Sequence, residues 1–416
     1  MAALPTGGHV LYNFLTGKCV RMNFLTKDYY DSYEAYGEDN PQVRHLVELG
    51  FLVDFDELAY LRNRARLDCG NTSELKLTIC PTLACNFACP YCFERHRTGA
   101  MSQSVQDDVL AFAQAAVNKC HPARMQVTWY GGEPLLQPQI IRSLSERLMR
   151  LCEERKIAYD ASIITNGYFL SPKTYELLRD CKVDSIQITL DGPNASTHNK
   201  TRHLVGGGGT FEKILQSIAA APRELELTVR CNVHKRNMDE YAQLEERIDA
   251  LARKSGANIS VYAGRMETSG DYAELSVPMD EFARFRKKTA HEVTRVAYVG
   301  PVCMVPKLAD VVIDERGNLY KCLESVGREE EAFGNVCDYD LAAPAQQGAA
   351  TDVLSRCYDQ AWPKDDECMD CPVLPACMGG CPQRRWEGRK ECSEIRYLLD
   401  EYVIELAEEL ARHGKD

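Results

Sequence analysis

Three cysteines, Cys85, Cys89 and Cys92, have a spacing that suits an iron–sulfur cluster. They come directly after a short apolar run, so they are predicted to lie on the loop at the carboxyl end of a strand. Three thiolates can bind three irons of a cubane and leave the fourth iron open to an external ligand. A structural zinc site normally takes four protein ligands. The spacing therefore predicts a [4Fe–4S] cluster with one open iron.

The sequence from Cys85 to Cys92 resembles the signature of the radical S-adenosylmethionine (SAM) superfamily. In that family, the amino and carboxylate groups of SAM chelate the open iron. Reductive cleavage of SAM then yields a 5′-deoxyadenosyl radical, which abstracts hydrogen from the substrate. The cofactor supplies this chemistry while the protein orients and shields it. The resemblance implies an oxidoreductase that uses SAM and an electron donor of the flavodoxin or ferredoxin type.

The same resemblance implies further SAM contacts. Tyr91 matches an aromatic position near the adenine. The sequence Gly131-Gly132-Glu133-Pro134 resembles the family's GGEP motif, whose strand-edge backbone and glutamate receive the SAM amino group. Thr189, at the end of a predicted strand, matches a hydroxyl that meets the ribose or carboxylate. Arg202 matches an arginine that pairs with the SAM carboxylate. The alternatives are loop packing for Tyr91 and a surface position for Arg202.

Nearby polar and glycine residues are predicted to play no direct chemical role. Four glycines at 206–209 have little helix or strand propensity, so they predict either a mobile lid or a plain linker. The basic run at 95–97 predicts a solvated loop. His198 and His203, which flank Arg202, are also predicted to lie on a solvated loop. Asp191 is predicted only to cap a turn.

A second group of cysteines lies nearer the carboxyl terminus. Its spacing is Cys303-x13-Gly317-x4-Cys322, then Cys368-x2-Cys371-x5-Cys377-x3-Cys381, and finally Cys392. Seven ordered cysteines exceed what one metal ion needs. The spacing alone leaves open two iron–sulfur clusters or a pair of zinc ribbons.

Together with the first motif, this group resembles the SPASM domain, whose members carry two auxiliary [4Fe–4S] clusters. The resemblance implies three clusters in total. It assigns one auxiliary cluster to Cys303, Cys322 and Cys381, and the other to Cys368, Cys371, Cys377 and Cys392. The fourth ligand of the former stays open between Cys337, Cys357 and an external group.

Between residues 73 and 298, short apolar runs alternate with amphipathic helical patterns six times. The apolar runs lie at 75–80, 125–130, 158–165, 185–190, 225–233 and 258–263, and the helical patterns near 102–120, 137–155, 171–181, 210–221, 238–254 and 279–296. This alternation predicts an α/β fold with a parallel sheet. Six units fit a partial (βα)6 TIM-like barrel, and a doubly wound open sheet is the alternative. Either fold binds ligands at the carboxyl ends of its strands.

The flanking segments differ from this pattern. Residues 1–72 predict strands at 10–14 and 20–24, helices near 28–36 and 43–49, and a strand at 51–55. That order suggests a small winged-helix-like module, with a packing extension of the barrel as the alternative. Residues 299–392 form the predicted SPASM domain. Residues 393–416 predict one amphipathic C-terminal helix that docks on the protein itself.

Composition narrows the class of protein. The chain has 416 residues and a net charge of −12, which argues against a nucleic-acid partner. It has no apolar run of about 20 residues, so no membrane span is expected. Its start has no basic n-region followed by an apolar stretch, and its 19 cysteines fall largely in metal-like clusters. We therefore expect a cytoplasmic protein in a reducing compartment.

Resemblance to SPASM-bearing enzymes implies a maturase of ribosomally made precursor peptides. The sequence at 319–327 is similar to maturases of cysteine-containing peptides, so a thioether crosslink is the leading hypothesis. Carbon–carbon crosslinking, formylglycine formation and backbone excision are alternatives. Sulfatase maturases have an aspartate directly after the cysteine that corresponds to Cys322, whereas this chain has Leu323. A non-catalytic, zinc-binding regulatory protein is the alternative from another class.

Overall fold

The computed structural model describes residues 1–5, 7–37, 39–266, 270–289, 295–339 and 349–412. The chain forms two compact units, each assembled from separate chain segments. We call the unit of Gly70–Val277 and Met304–Tyr358 the barrel unit. We call the unit of Met1–Cys69, Pro278–Cys303 and Asp359–Asp416 the terminal unit.

The strands are numbered in chain order. They are β1 (Ala2–Ala3), β2 (His9–Tyr12), β3 (Cys19–Met22), β4 (Glu74–Ile79), β5 (Arg124–Trp129), β6 (Ala158–Thr165), β7 (Val183–Thr189), β8 (Glu226–Val233), β9 (Asn258–Arg265), β10 (Asp310–Ile313), β11 (Asn318–Tyr320) and β12 (Gly334–Asn335).

The helices are numbered likewise. They are α1 (Phe24–Asp31), α2 (Tyr33–Tyr36), α3 (Pro41–Glu48), α4 (Glu57–Gly70), α5 (Gln103–Cys120), α6 (Pro138–Arg155), α7 (Pro172–Asp180), α8 (Ala195–His198), α9 (Phe211–Ala219), α10 (Tyr241–Ser255), α11 (Met279–Thr289), α12 (Ala349–Asp359), α13 (Asp366–Met369), α14 (Leu374–Cys377), α15 (Pro382–Trp386), α16 (Glu394–Tyr397) and α17 (Leu399–Arg412).

Six parallel strands, β4 to β9, form the centre of the barrel unit. They neighbour one another in strict chain order, β4-β5-β6-β7-β8-β9, and each is followed by a helix. A doubly wound sheet would reverse its strand order at a switch point. The prediction of a partial (βα)6 barrel is therefore confirmed, with every predicted strand present. The last predicted helix, near 279–296, is present as α11 (Met279–Thr289). Residues 290–294 lie outside the described residues, and residues 295–296 are not helical.

Side-chain alternation explains why these segments become strands. In β4 and β5, every second residue is fully buried and the residues between are half-buried. Alternation with a period of two places the apolar side chains on one face. Serine side chains start two of the helices, because Ser102 accepts from Val105 N at 3.3 Å and Ser171 from Thr174 N at 3.3 Å.

The chain forms a hairpin around Gly317, and this hairpin joins the barrel sheet. β10 and β11 are antiparallel, with the turn Glu315-Arg316-Gly317-Asn318 between them. β10 also pairs in parallel with β4, and β12 extends the far edge, so the described part of the chain contributes nine strands to this sheet. The hairpin of the cysteine-rich region therefore lies beside the strand that leads into the Cys85 loop.

The amino-terminal segment differs from its predicted order. In its described residues, three antiparallel strands form a sheet in the order β1-β2-β3, and the helices α1 to α4 follow. The predicted strand at 51–55 is wrong, because these residues lie in an irregular segment. Asp56 ends that segment by accepting a hydrogen bond from Ala59 N at 2.9 Å at the start of α4. Such a cap favours helix over a continued extended chain.

The predicted C-terminal helix is present but broken into α16 and α17 at Leu398, where φ is −133°. The apolar face of α17 packs on the three-stranded sheet. Val403 and Leu406 are buried there in one cluster with Val10 and Tyr12. The prediction that this stripe docks on the protein itself is confirmed. Among the described residues, no helix is both long and apolar enough to cross a membrane.

Candidate cluster and SAM site

Cys85, Cys89 and Cys92 lie on the loop that follows β4, at the carboxyl edge of the parallel sheet. Cys85 interacts electrostatically with Cys89, and Cys92 interacts with both, so the three thiols are neighbours. Burial raises the pKa of Cys85 to about 12 and also raises the pKa of Cys89. In the protein alone these thiols keep their protons. Thiolates at these positions would need the positive charge of a bound metal centre.

An iron–sulfur cluster and a single metal ion need different arrangements of their ligands. Within the described residues, no three or more His, Cys, Asp or Glu side chains are placed to hold one metal ion. In a cubane each thiolate binds a different iron, so its ligands stand further apart than the ligands of one ion. The three thiols share one loop, and each can bind a different iron of a [4Fe–4S] cluster.

The glycine pair after β5 packs against the start of the cysteine loop. A Cβ on Gly131 would lie 2.3 Å from Thr82 O, and one on Gly132 would lie 2.4 Å from Ala84 O. Glu133 N donates a hydrogen bond to Ala84 O at 2.9 Å. Only residues without a side chain allow this approach of two backbones. The predicted SAM-contact motif is therefore also the surface that fixes the path of the cysteine loop.

Glu133 is fully buried and links its motif to the end of β6. Its Oε1 accepts from Leu135 N at 2.9 Å and from the Thr165 hydroxyl at 2.7 Å. Its Oε2 accepts from Asn166 N at 2.7 Å. Burial raises the pKa of Glu133, while these hydrogen bonds and Arg202 lower it. The predicted contact of Glu133 with the SAM amino group stays a prediction beside this internal role.

The hydroxyl of Tyr91 is held by three groups from three chain segments. It donates to Asp191 Oδ2 at 2.5 Å and accepts from Arg202 Nη1 at 3.0 Å and from Asn232 Nδ2 at 3.2 Å. We call these four residues the Tyr91 clamp. The clamp ties the cysteine loop to the carboxyl ends of β7 and β8 and fixes the position of the Tyr91 hydroxyl.

Arg202 is buried and keeps one donor free. Its guanidinium lies 5.3 Å from the centre of the Phe87 ring, and its Nε–H is buried without a hydrogen-bond partner. Burial would lower the pKa of Arg202, but Tyr91, Cys89 and Asp191 raise it, so the group stays charged. A buried cation with a free donor fits the carboxylate of SAM. Thr189 ends β7 half-buried, in register with Arg230.

The interpretation of His198 as part of a solvated loop is wrong, because this histidine is fully buried. Its Nδ1 accepts from Asp191 N at 3.0 Å, and its Nε2 lies 3.1 Å from the Thr210 hydroxyl. Burial, followed by the nearby charge of Arg202, lowers the pKa of His198 well below its usual range. The neutral ring therefore positions Asp191, which the sequence had suggested only caps a turn.

The four glycines lie in a hairpin at residues 203–209, which we call the glycine hairpin. Ala88 N donates to His203 O at 2.9 Å, and Val205 N donates to Asn86 O at 2.9 Å. Phe87 and Leu204 form an antiparallel bridge between the two segments. The glycine hairpin is thus an ordered partner of the cysteine loop, and neither a free lid nor a plain linker.

The basic run at 95–97 was expected to be solvated, which is wrong for Arg97. Its Nε donates to Glu315 Oε1 at 2.5 Å, and its Nη2 donates to Asp314 Oδ2 at 2.7 Å. The side chain of Asp314 is fully buried. Arg97 therefore connects the end of the cysteine loop to the β10–β11 hairpin within the barrel unit.

The structure brings together four of the seven cysteines of the second group. Cys368, Cys371, Cys377 and Cys392 line one pocket in the terminal unit. Cys303 and Cys381 belong to that unit as well, and both interact electrostatically with Arg385. Cys322 belongs to the barrel unit, as do the exposed Cys337 and the buried Cys357. All of these ligand assignments stay predictions.

Sequence reasoning missed three polar residues of the first site. Asn232 belongs to the Tyr91 clamp, and Asn166 Nδ2 donates to Asn86 Oδ1 at 2.8 Å while it lies 3.9 Å from Cys85 Sγ. Asp191 Oδ1 accepts from Asn232 N at 2.9 Å. Their common signal is position, because each lies at the carboxyl end of a parallel strand, where such folds bind ligands.

Comparisons with known proteins also relate this chain to radical SAM proteins. The profile of the radical SAM superfamily matches residues 79–248. A serine-type anaerobic sulfatase-maturating enzyme of Bacteroides thetaiotaomicron is 23% identical over 347 residues, which cover 73% of this chain and 81% of that enzyme.

Two solved structures share the fold. Native anSMEcpe with bound AdoMet and Cp18Cys peptide aligns with a TM-score of 0.61 at 19% identity, over 82% of this chain and 99% of that one. Streptococcus suis SuiB bound to precursor peptide SuiA aligns with a TM-score of 0.52 at 14% identity, over 94% of this chain and 98% of that one.

The matched span holds the three thiols, the glycine pair and the Tyr91 clamp on one parallel sheet. Those thiols suit a cluster with one open iron, and Arg202 offers a free donor to an anion beside them. Residues 79–248 are therefore a radical SAM domain, the domain of a superfamily that uses SAM and a [4Fe–4S] cluster.

Proposed function

We propose that this chain is a maturase that forms a thioether crosslink in a ribosomally made, cysteine-containing precursor peptide. The observation that carries the proposal is the combination of the radical SAM site with a second, four-cysteine pocket. Similarity to a sulfatase-maturating enzyme and to SuiB with its precursor peptide supports a peptide substrate.

SAM and its cluster, when bound, supply the means to abstract a hydrogen atom from the substrate. The residues of the chain orient that chemistry. Arg202 would pair with the SAM carboxylate, and Tyr91 would lie beside the adenine. Gly131, Gly132 and Glu133 would receive the amino group, and Thr189 would contact the ribose or carboxylate.

The second set of cysteines completes the proposal. Cys368, Cys371, Cys377 and Cys392 would hold one auxiliary cluster, and Cys303, Cys322 and Cys381 the other. Four thiols around one pocket match the ligand number of a closed cluster. The other set has one ligand fewer, and an open iron there could bind a substrate thiolate.

The proposal includes two partners. The precursor peptide is one, and a flavodoxin- or ferredoxin-type protein that delivers electrons is the other. Residues 1–72 would act as a peptide-recognition module, residues 73–298 as the radical SAM core, residues 299–392 as the SPASM domain and residues 393–416 as a C-terminal helix. The three-stranded sheet of the first segment ends in an edge strand, β3, which suits strand addition by a peptide.

The test uses anaerobically reconstituted protein, SAM, dithionite and a small cysteine-bearing peptide encoded beside the gene of this chain. We expect a product lighter by two hydrogens, without a free thiol, formed together with 5′-deoxyadenosine. The Cys85→Ala/Cys89→Ala/Cys92→Ala variant is the control and should give neither product. Formation of 5′-deoxyadenosine with an unchanged peptide mass would contradict the thioether proposal.

Formylglycine formation is the second candidate, and the sulfatase-maturating relative favours it. Against it, Leu323 follows Cys322 and cannot accept a proton. The two outcomes are separable with one peptide. Formylglycine made from cysteine loses the sulfur and carries an aldehyde that reacts with a hydrazide, whereas a thioether keeps the sulfur and does not react.

A further inference from the structure

Arg385 lies among cysteines in the terminal unit and has no carboxylate partner within the described residues. Its Nη2 donates to Gln360 O at 2.6 Å, and its Nη1 donates to Met378 O at 3.3 Å. Its Nε–H is buried without a hydrogen-bond partner. Two carbonyl oxygens thus hold the guanidinium in place, but neither balances its charge.

Four thiols lie near enough to this arginine to interact with its charge. The guanidinium interacts electrostatically with Cys368, Cys377, Cys303 and Cys381. Arg385 N donates to Cys381 O at 3.1 Å, which places Arg385 one helical turn after Cys381, the N-cap residue of α15. The proposed ligand sets divide these four thiols equally between the two auxiliary clusters.

The backbone leaves a place for the guanidinium. Gly379 has a φ of +81°, and a Cβ there would lie 2.5 Å from Arg385 Nη1 and 2.6 Å from Pro363 Cβ. A larger residue at position 379 would therefore displace the arginine. The arginine is built into this cysteine-lined region and does not reach into it from outside.

Burial lowers the pKa of Arg385, because a desolvated cation without a counter-charge is unfavourable. Arginine still keeps its proton, since no ordinary protein environment removes it. A buried cation normally requires a negative partner. Iron–sulfur clusters with thiolate ligands carry net negative charge, and hydrogen bonds to their sulfurs shift their potentials.

We propose that Arg385 is the counter-ion of the auxiliary clusters and that its buried, unpartnered Nε–H donates a hydrogen bond to a sulfur there. The inference rests on the proposed function only in requiring those clusters. A nearby cation favours the reduced, more negative cluster and so raises its reduction potential. Arg385 would thereby ease electron transfer into the auxiliary clusters.

The test is an EPR-monitored redox titration of anaerobically purified protein. The background is the Cys85→Ala/Cys89→Ala/Cys92→Ala variant, because without the first cluster the remaining signals come from auxiliary clusters. We expect Arg385→Gln to lower the midpoint potential and Arg385→Lys to return it toward the background value. Arg384→Gln is the matched control, because Arg384 pairs with Glu391 at 3.6 Å and its loss should leave the potential unchanged.

Iron content separates the possible failures. A background protein with about 8 irons per chain has both auxiliary clusters. Unchanged potentials in Arg385→Gln at that iron content would overturn the counter-ion assignment alone. Absence of iron from the background protein would overturn the auxiliary clusters of the proposed function as well. If Arg385→Gln loses iron while Arg385→Lys keeps it, the need for a cation is supported. Loss from both variants, but not from Arg384→Gln, would assign Arg385 a packing role instead.

Discussion

Replacement of Tyr91 by phenylalanine removes one hydroxyl from the centre of the Tyr91 clamp and leaves the aromatic ring. That hydroxyl donates to Asp191 and accepts from Arg202 and Asn232. The Tyr91→Phe variant therefore tests the hydrogen bonds of the clamp alone, because the ring and any contact that it makes with the adenine are kept. Asp191 keeps its bond from Asn232 N and a longer contact of 3.4 Å with the Thr201 hydroxyl.

The expected loss follows from the charges involved. A hydrogen bond to a charged group contributes about 1.5–3 kcal/mol, and a neutral one about 1 kcal/mol. Two of the three bonds in the clamp involve a charged group, Asp191 or Arg202. Because Asp191 keeps two other donors, we expect a net loss of about 3 kcal/mol in the free energy of unfolding of the barrel unit.

The assay must report on the barrel unit alone, since a chain with two compact units need not unfold in one step. Hydrogen-exchange mass spectrometry of peptides from β7 and β8 at increasing urea meets this need. With a slope of about 3 kcal/mol per molar urea, the midpoint should fall by about 1 M. Tyr60→Phe is the control, because Tyr60 lies on α4 in the terminal unit with 48% of its surface exposed.

An unchanged midpoint in Tyr91→Phe would refute the reasoning, because it would show that water replaces the clamp without cost. A loss of the same size in Tyr60→Phe would refute it as well. SAM affinity, measured on the same samples by equilibrium dialysis, should also fall if the clamp holds Arg202 for the SAM carboxylate.

Three further perturbations follow from the same geometry. Gly132→Ala places a methyl group 2.4 Å from Ala84 O. We therefore expect the free energy of unfolding to fall by about 1–3 kcal/mol, and the iron content, measured by metal analysis, to fall as well. Arg97→Ala leaves the buried carboxylate of Asp314 without its cation, which should cost about 3–5 kcal/mol in urea unfolding. His198→Asn should flatten the acid sensitivity of folding. Burial lowers the pKa of His198 in the folded state, so the unfolded chain takes up the proton first as the pH falls. At pH values below about 6.5, the free energy of unfolding of the wild type should therefore decrease by up to about 1.4 kcal/mol per pH unit.

Each outcome has a clear contradiction. Full iron content in Gly132→Ala would mean that the cysteine loop can shift away from the added methyl group. Wild-type stability in Arg97→Ala would mean that water solvates the exposed carboxylates. An unaltered pH slope in His198→Asn would assign the acid sensitivity of the wild-type chain to other groups.

The local sequence pattern was sufficient to predict the strands of the barrel. Alternating burial in a strand and the 3.6-residue period of a helix are properties of neighbours in sequence, so all six predicted strands were found. The thiol spacing was equally local, because Cys85, Cys89 and Cys92 lie on one loop. The segment at 51–55 misled for the same reason, since its apolar residues resemble a strand although Asp56 begins a helix.

The sequence by itself determined the class of chemistry, through the thiols, the glycine pair and Arg202, and it determined the order of strands and helices in the barrel. Only the tertiary structure decided what holds these residues. Tyr91 meets Asp191, 100 residues away, and Asn232, 141 residues away, because parallel strands end at one edge of the sheet. The burial of His198 and of the Arg385 Nε atom was likewise invisible in the sequence, since burial depends on every segment packed around a residue and not on its neighbours in the chain.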